Sequence, residues 1–269
     1  MSLELIKCVH KIMDDVKELT GKDIQFIEKN DLSVYAHLKI ARKNMQSHTM
    51  FYKPKHTEII NHLIAHECGH ILRMYGTPEQ DRIAPYVNDK IKLAGLREVE
   101  PEIQKLAKFI PFEKLAKIVN MWFAGTVRQV TNYPSDIMIE KWIYDEYPDL
   151  RSFQSQSLKK QYDEAVQGLS DRVEQVTPRK FLKCSNGMNY AFFKILSDHL
   201  NDGDLFKRYA RSYYLDIGKD LIILQQDQEN TYKGDVDIVN KWAEALGIAN
   251  WFAWKDFEDI PDDYLTTFS

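Results

Sequence analysis

The stretch best suited to chemistry is His66-Glu67-Cys68-Gly69-His70, which has the pattern H-E-x-x-H. Residues four apart lie on one face of a helix, so His66 and His70 can present two imidazoles to one metal ion. Glu67 follows the first histidine directly, where it can hold and deprotonate a metal-bound water. Imidazole suits zinc, and a glutamate beside two histidines favours a catalytic site with an open coordination position. The motif therefore predicts a catalytic Zn²⁺ site.

The residues around the motif predict that it lies on a helix. Gly69 would cost about 1 kcal/mol relative to Ala inside a helix, so we expect another segment to approach closely there. The alternative is an ordinary core helix with two solvent-facing histidines. Apolar residues recur with helical spacing on both sides of the motif: Ile60, Leu63, Ile64, Ile71 and Leu72.

A catalytic zinc ion usually has a third protein ligand, and no histidine follows His70 at a short spacing. The favoured candidate is Glu140, an acidic residue inside an otherwise apolar run, because a buried carboxylate needs a partner. Asp136 lies one turn earlier on the same face and could accept a hydrogen bond from a ligand histidine. The competing candidates Glu98, Glu100 and Glu102 form a cluster more typical of a solvated helix face.

Two further questions stay open at this level. His62 precedes His66 by one turn, but the outer members of a row of three histidines are too far apart along a helix to share one ion. A hydrolase also needs a donor for the oxyanion, and the sequence does not choose among several residues of suitable type. These are Tyr133, Tyr144, His199, Arg211, Tyr213 and Tyr214.

The surrounding elements that must position these residues are mainly helical. The pattern predicts an α+β protein with a small antiparallel sheet packed on the motif helix and a helical C-terminal half. We expect a catalytic domain over residues 1–150 and a helical extension over 151–269 that packs on it. The predicted elements are helix 3–20, strands 24–28, 32–40 and 46–52 with a hairpin turn at 41–44, a helical stretch 78–130 interrupted at Gly125, and a separate helix 135–147.

Composition excludes several classes of protein. The chain has 269 residues, 44% of them hydrophobic, and a net charge of -4, which gives no electrostatic indication of nucleic-acid binding. Apolar runs are too short to cross a membrane, and no secretory signal is visible at the N-terminus. Three widely spaced cysteines give no disulfide framework and indicate a reducing compartment. We therefore expect a cytoplasmic protein.

The order of the strand "SHTMFYKP" and the helix "HLIAHECGHIL" resembles the zincin metallopeptidases, and more narrowly the compact ImmA/IrrE-type domain, over about residues 20–150. The resemblance implies that His66 and His70 bind zinc, that Glu67 is the general base and that Glu140 is the third ligand, as in glutamate-zincins. It also implies hydrolysis of peptide bonds in a peptide or protein substrate. The alternative is a catalytically inactive zincin-like protein that binds a partner through its C-terminal helices and aromatics: Trp251, Phe252, Trp254 and Phe257.

Overall fold

In this computed structural model the chain is described over residues 3–32 and 34–261, without the side chains of His56, Thr57 and Arg211. No helix in that part is both long and apolar enough to span a membrane. The helices are α1 Lys7–Thr20, α2 Ile60–Tyr75, α3 Asp89–Leu106, α4 Phe112–Glu146, α5 Arg151–Ala165, α6 Asp171–Val176, α7 Arg179–Leu200, α8 Leu215–Gln226 and α9 Tyr232–Leu246. The strands are β1 Asp23–Glu28, β2 Ala36–Lys39, β3 Ser47–Tyr52, β4 Ile83–Tyr86 and β5 Ala253–Asp256.

The predicted class, a mainly helical α+β fold with a small sheet, is confirmed. The predicted hairpin is present, because β2 and β3 pair antiparallel. The prediction of a wholly antiparallel sheet is wrong, because β1 pairs parallel with β3 and the strand order is β1-β3-β2. A short turn fixes only the relative direction of the two strands it joins. The position and direction of β1 in the sheet depend on how the elements pack together. The periodicity of a strand's sequence does not predict either of them.

The central position of β3 in the sheet determines which strands have a free edge that could pair with a peptide. Because β3 pairs on both sides, it offers no edge to an extended peptide. The edge strand β2 is the one next to the motif helix, and Tyr35 and Ala36 line the cavity described below.

Helix α4 packs against the motif helix α2 and runs without a break over 35 residues. The sequence pattern predicted an interruption at Gly125 and a separate helix over 135–147, and both expectations are wrong. Pro134 also lies inside α4, where it removes a backbone donor. The helix continues because it is packed along its length, with Val127, Val130 and Ile137 in one core cluster and Ile139 and Ile143 in another.

At Gly69, α2 packs closely against α4. A Cβ at this position would lie 2.7 Å from Cγ2 of Ile139. That is too close for a methyl group, and Cγ2 is a branch near the backbone, so it cannot swing away. The glycine expected to permit close approach therefore does so beside His70, where it allows α4 to bring its carboxylates to α2.

We predict that Gly69→Ala destabilises the protein by about 1–2 kcal/mol, because overpacking outweighs the gain in helix propensity. Gly125→Ala in α4 is the matched control: nothing lies within 4 Å of its added Cβ, so we expect it to stabilise. Urea unfolding of both variants measures the difference. If Gly69→Ala stabilised the protein as much as Gly125→Ala, the close approach of the two helices would be contradicted.

The C-terminal half packs on the first 150 residues. Strand β5 pairs antiparallel with β4, a strand inside the stretch 78–130 that the sequence pattern predicted to be helical. Arg73 near the end of α2 forms a two-pronged ion pair with Asp235 of α9, with N–O distances of 2.7 and 2.6 Å. Trp251, Phe252 and Phe257 are buried in the two core clusters. These aromatics stabilise the fold and do not form an exposed partner surface.

His48 of β3 makes stability depend on pH. Its side chain is fully buried, Nδ1 accepts the Ala41 backbone N–H at 3.0 Å, and Nε2 lies 3.2 Å from the Thr20 hydroxyl. Burial, with a smaller effect of the Lys22 charge, lowers the pKa of His48 to about 4. Both ring nitrogens are thus satisfied in the neutral imidazole, and protonation would displace the Ala41 contact.

We predict that the free energy of unfolding falls as the pH is lowered from about 6.5 to about 4. In that window the unfolded chain binds a proton at His48 that the folded chain does not, which accounts for up to roughly 3 kcal/mol. The variant His48→Asn keeps an acceptor near Ala41 but does not titrate, so its stability should depend less steeply on pH. Parallel pH-dependent urea titrations test this. Equal slopes for the two proteins would show that His48 is not neutral in the fold.

Candidate metal centre

Helices α2 and α4 bring together three atoms of types that can bind a metal ion. Nε2 of His66 lies 3.3 Å from Nε2 of His70 and 3.5 Å from Oδ1 of Asp136. Nε2 of His70 lies 3.1 Å from the same Asp136 oxygen. Ligand atoms bound about 2.0–2.1 Å from a tetrahedral zinc ion are spaced roughly 3.4 Å apart. The three atoms therefore already have nearly the mutual spacing of zinc ligands.

Glu140 lies on the other side of the His66 ring. Its Oε1 accepts a hydrogen bond from Nδ1–H of His66 at 2.8 Å. It also accepts from Nε2 of His62, at 3.1 and 3.0 Å to its two oxygens, and from Nε2 of Gln154 at 2.6 Å. Because an ionised carboxylate only accepts, Nδ1 of His66 carries a proton, which leaves Nε2, beside His70 and Asp136, as the nitrogen that could bind a metal.

Asp136 and Glu140 are thus both at the centre, one turn apart on α4. Asp136 lies beside Nε2 of His66, and Glu140 lies beside Nδ1. One possible metal-binding group comprises His66, His70 and Asp136, and the other comprises His62, His66 and Glu140. Among the described residues, neither group contains both His62 and His70. This agrees with the expectation that a row of three histidines does not converge on one ion.

The protonation states of the cluster follow from burial and from these contacts. Burial disfavours the charged form of His66, but hydrogen bonds to Asp136 and Glu140 outweigh it and hold its pKa well above the ordinary value. Burial dominates at His70 and lowers its pKa. The pKa values of both carboxylates are lowered despite burial, by His66 and His70 at Asp136 and by His62 and His66 at Glu140. A divalent cation bound at Nε2 of His66 would replace a proton there.

Glu67 lies in the wall of a cavity that opens onto the centre. The cavity has a volume of about 730 Å³, and His62, His66 and Asp136 also line it. Glu67 is only 3% exposed. The motif thus places its glutamate facing the space where a substrate could lie, beside a ligand of the candidate metal.

Of the candidate oxyanion donors, Tyr133 lines the same cavity as His66 and Glu67. Its hydroxyl donates to Oδ1 of Asn189 at 2.9 Å, and burial raises its pKa to about 12. The other candidates with described side chains do not line this cavity, and the side chain of Arg211 lies outside the description. Those away from the cavity are Tyr144 near Leu200, His199 paired with Asp145, Tyr213, which is 96% exposed, and Tyr214 bonded to Glu174.

The competing acidic residues of α3 contact residues outside the candidate metal centre. Glu98 accepts from Asn250, Glu100 from Gln104, and Glu102 from the backbone of Arg179. None of the three belongs to a possible metal-binding group in the described part of the chain.

Sequence reasoning missed Gln154. This residue is fully buried on α5 and donates to both the carboxylate and the backbone carbonyl of Glu140, at 2.6 and 2.8 Å. It lies in a polar stretch that looks solvated from its composition, so no sequence signal identifies it.

No protein-family model, no curated protein and no solved structure matches this chain.

Proposed function

We propose that the protein is a zinc-dependent metallopeptidase that hydrolyses a peptide bond. His66 and His70 would bind the metal through Nε2, Asp136 through Oδ1, and Glu67 would be the general base. The observation that carries the proposal is the convergence of those three atoms, 3.1–3.5 Å apart, beside a cavity whose wall contains His66, Asp136 and Glu67.

The donor set fits zinc. Two imidazole nitrogens and one carboxylate oxygen are a usual set of three protein ligands for a catalytic zinc, which leaves a fourth position open. Oδ1 of Asp136 has no hydrogen-bond donor in the described part of the chain apart from its ionic contacts with the two histidines. A buried carboxylate oxygen of this kind needs a cationic partner.

The role of Glu140 follows from its contacts with donors. With hydrogen bonds from His62, His66 and Gln154, its carboxylate is already satisfied. It fixes the His66 tautomer that leaves Nε2 free, and it makes that nitrogen a stronger ligand. We therefore favour Asp136 as the third ligand. Glu140, the ligand predicted from the sequence, belongs to the alternative group with His62 and His66.

Zinc held by His66, His70 and Asp136 would supply a Lewis acid that polarises the substrate carbonyl and lowers the pKa of water to near 7. Glu67 accepts the proton of the attacking water and passes it to the nitrogen of the leaving amine. The cavity holds the substrate chain and orients its scissile carbonyl towards the centre. Tyr133 is the candidate hydroxyl donor to the developing oxyanion.

The alternative of an inactive protein that binds a partner receives less support. Its proposed contact residues Trp251, Phe252 and Phe257 are buried in the protein's own core. As for location, the three cysteines in the chain are unpaired, which supports our proposal of a reducing, cytoplasmic compartment.

The test begins with metal content after purification without chelators. We expect one zinc ion per chain, and cleavage of a peptide library prepared from a cell proteome. Removal of zinc by a chelator should abolish cleavage, and zinc should restore it. Absence of bound metal, with no uptake of added zinc, would refute the proposal. Bound zinc without cleavage of any peptide would favour the inactive alternative.

A further inference from the structure

The cavity at the metal centre is one end of a longer cleft. A second cavity, of about 490 Å³, lies along α4 towards its N-terminal half. The two cavities share Arg128, Gln129, Tyr133, Gln161 and Glu164 in their walls. A cleft of this form can hold several residues of an extended peptide on one side of the centre.

Arg128 lies where the two cavities meet, and it forms no ion pair within the described residues. Its side chain is largely buried, and its Nε has no hydrogen-bond partner among the described residues. Glu164 is the carboxylate that lines both cavities, and in the described part of the chain no ion pair joins it to Arg128. Burying a guanidinium without an acidic partner is costly, so an anionic partner from outside the chain would stabilise it.

Asn132, on the same face of α4 as Arg128, is a second side chain whose hydrogen-bonding groups lack partners among the described residues. It lies on α4 one turn from Arg128 and one turn from Asp136, and it lines the cavity at the metal centre. It is 2% exposed, and neither its amide nitrogen nor its oxygen has a hydrogen-bond partner in the part of the chain that the structure describes. A carboxamide offers both a donor and an acceptor, which is what a peptide backbone requires.

We propose that Arg128 and Asn132 form a substrate subsite that selects peptides carrying a carboxylate a few residues from the scissile bond. Asn132 binds the peptide backbone, and the guanidinium of Arg128 binds the carboxylate. The distance from this subsite to a scissile bond rests on the proposed function. The binding of an anion at Arg128 does not, because it depends only on the cleft.

The chemistry and the spacing define the ligand. The planar guanidinium matches a carboxylate in a two-pronged geometry, which an ammonium group cannot do. Eight residues of helix separate Arg128 from Asp136, which is a rise of about 12 Å. An extended peptide covers that distance in about four residues. We therefore expect the carboxylate three to five residues from the cleaved bond.

The carboxylate can come from an Asp or Glu side chain or from the C-terminus of the peptide. The binding experiment uses the Glu67→Gln protein loaded with zinc, so that nothing is cleaved. Three sets of alanine-rich ten-residue probes are compared by calorimetry: end-blocked neutral peptides, end-blocked peptides with one Glu at each position in turn, and neutral peptides with a free C-terminus. The same probes are titrated into proteins that also carry Arg128→Gln, Arg128→Lys or the control Arg97→Gln, an exposed arginine of α3.

We expect one of the two carboxylate-bearing sets to bind roughly 10- to 100-fold more tightly than the neutral set. Arg128→Gln should remove that preference, Arg128→Lys should retain part of it, and Arg97→Gln should leave it unchanged. Which set binds more tightly identifies the source of the carboxylate. Equal binding of all three sets, or a preference that survives Arg128→Gln, would overturn the inference.

Cleavage by the wild-type protein separates this inference from the proposed function. If peptides are cut without enrichment of a carboxylate three to five residues away, the subsite is refuted and the hydrolase stands. If the preference in binding is present but no peptide is cut, the anion site stands and the hydrolase fails.

Discussion

Replacing Glu67 by Gln should lower kcat/KM for peptide cleavage by roughly 10²- to 10⁴-fold while zinc remains bound. The glutamate is buried in the cavity wall directly after a candidate ligand histidine. Glutamine has nearly the same shape and volume but cannot accept a proton at neutral pH. The variant therefore removes only the proposed proton transfer.

The measurement compares initial rates of cleavage of one library-derived peptide, together with zinc content and thermal unfolding. Glu98→Gln is the matched control, since Glu98 lies on the exposed side of α3, where its carboxylate accepts a hydrogen bond from Asn250. We expect full activity from the control and the same zinc content in both variants. A Glu67→Gln protein that retains more than about half of the wild-type rate would exclude Glu67 as the base. Loss of zinc in that variant would instead assign Glu67 a role in the metal site.

The local parts of this centre could be predicted because they are encoded within one helix. An H-E-x-x-H motif within a helically spaced apolar pattern predicts two imidazoles on one face of a helix. In the structure, the Nε2 atoms of His66 and His70 are 3.3 Å apart. The glycine between them indicated a close neighbour, and Ile139 is that neighbour. The acidic pair on the later helix was also found, because a carboxylate within an apolar run requires a partner.

The sequence could not predict which of Asp136 and Glu140 would bind the metal and which would orient the His66 ring. Asp136 and Glu140 lie one turn apart on the same face, so periodicity brings both to α2 and does not say which nitrogen of His66 each one meets. That depends on the axial offset between α2 and α4, which pack closely at Gly69. The parallel pairing of β1 with β3 has the same origin, because it is a property of the assembled fold. Gln154 reaches Glu140 only through the packing of α5.

The second large effect concerns the third ligand. We expect Asp136→Asn to weaken zinc binding more than Glu140→Gln does, because the first removes a ligand and the second removes an orienting partner. Loss of an orienting partner typically costs 10- to 100-fold in metal affinity. The affinity of Asp136→Asn should fall beyond that range. Competition of each protein with a colorimetric zinc chelator, at one fixed pH, gives the two affinities.

Histidine variants make the assignment independent of the two carboxylates. The favoured group needs His70 and not His62, whereas the alternative group needs His62 and not His70. His70→Gln should therefore abolish tight zinc binding, and His62→Gln should leave most of it. The three donors that converge on Glu140 make its replacement destabilising, so zinc affinities are compared only among variants that remain folded by circular dichroism. The opposite pattern, with zinc lost in His62→Gln and Glu140→Gln but kept in His70→Gln and Asp136→Asn, would move the metal to Nδ1 of His66. Asp136, which lines the cavity beside Glu67, would then bind no metal, and the proposed ligand set would fail.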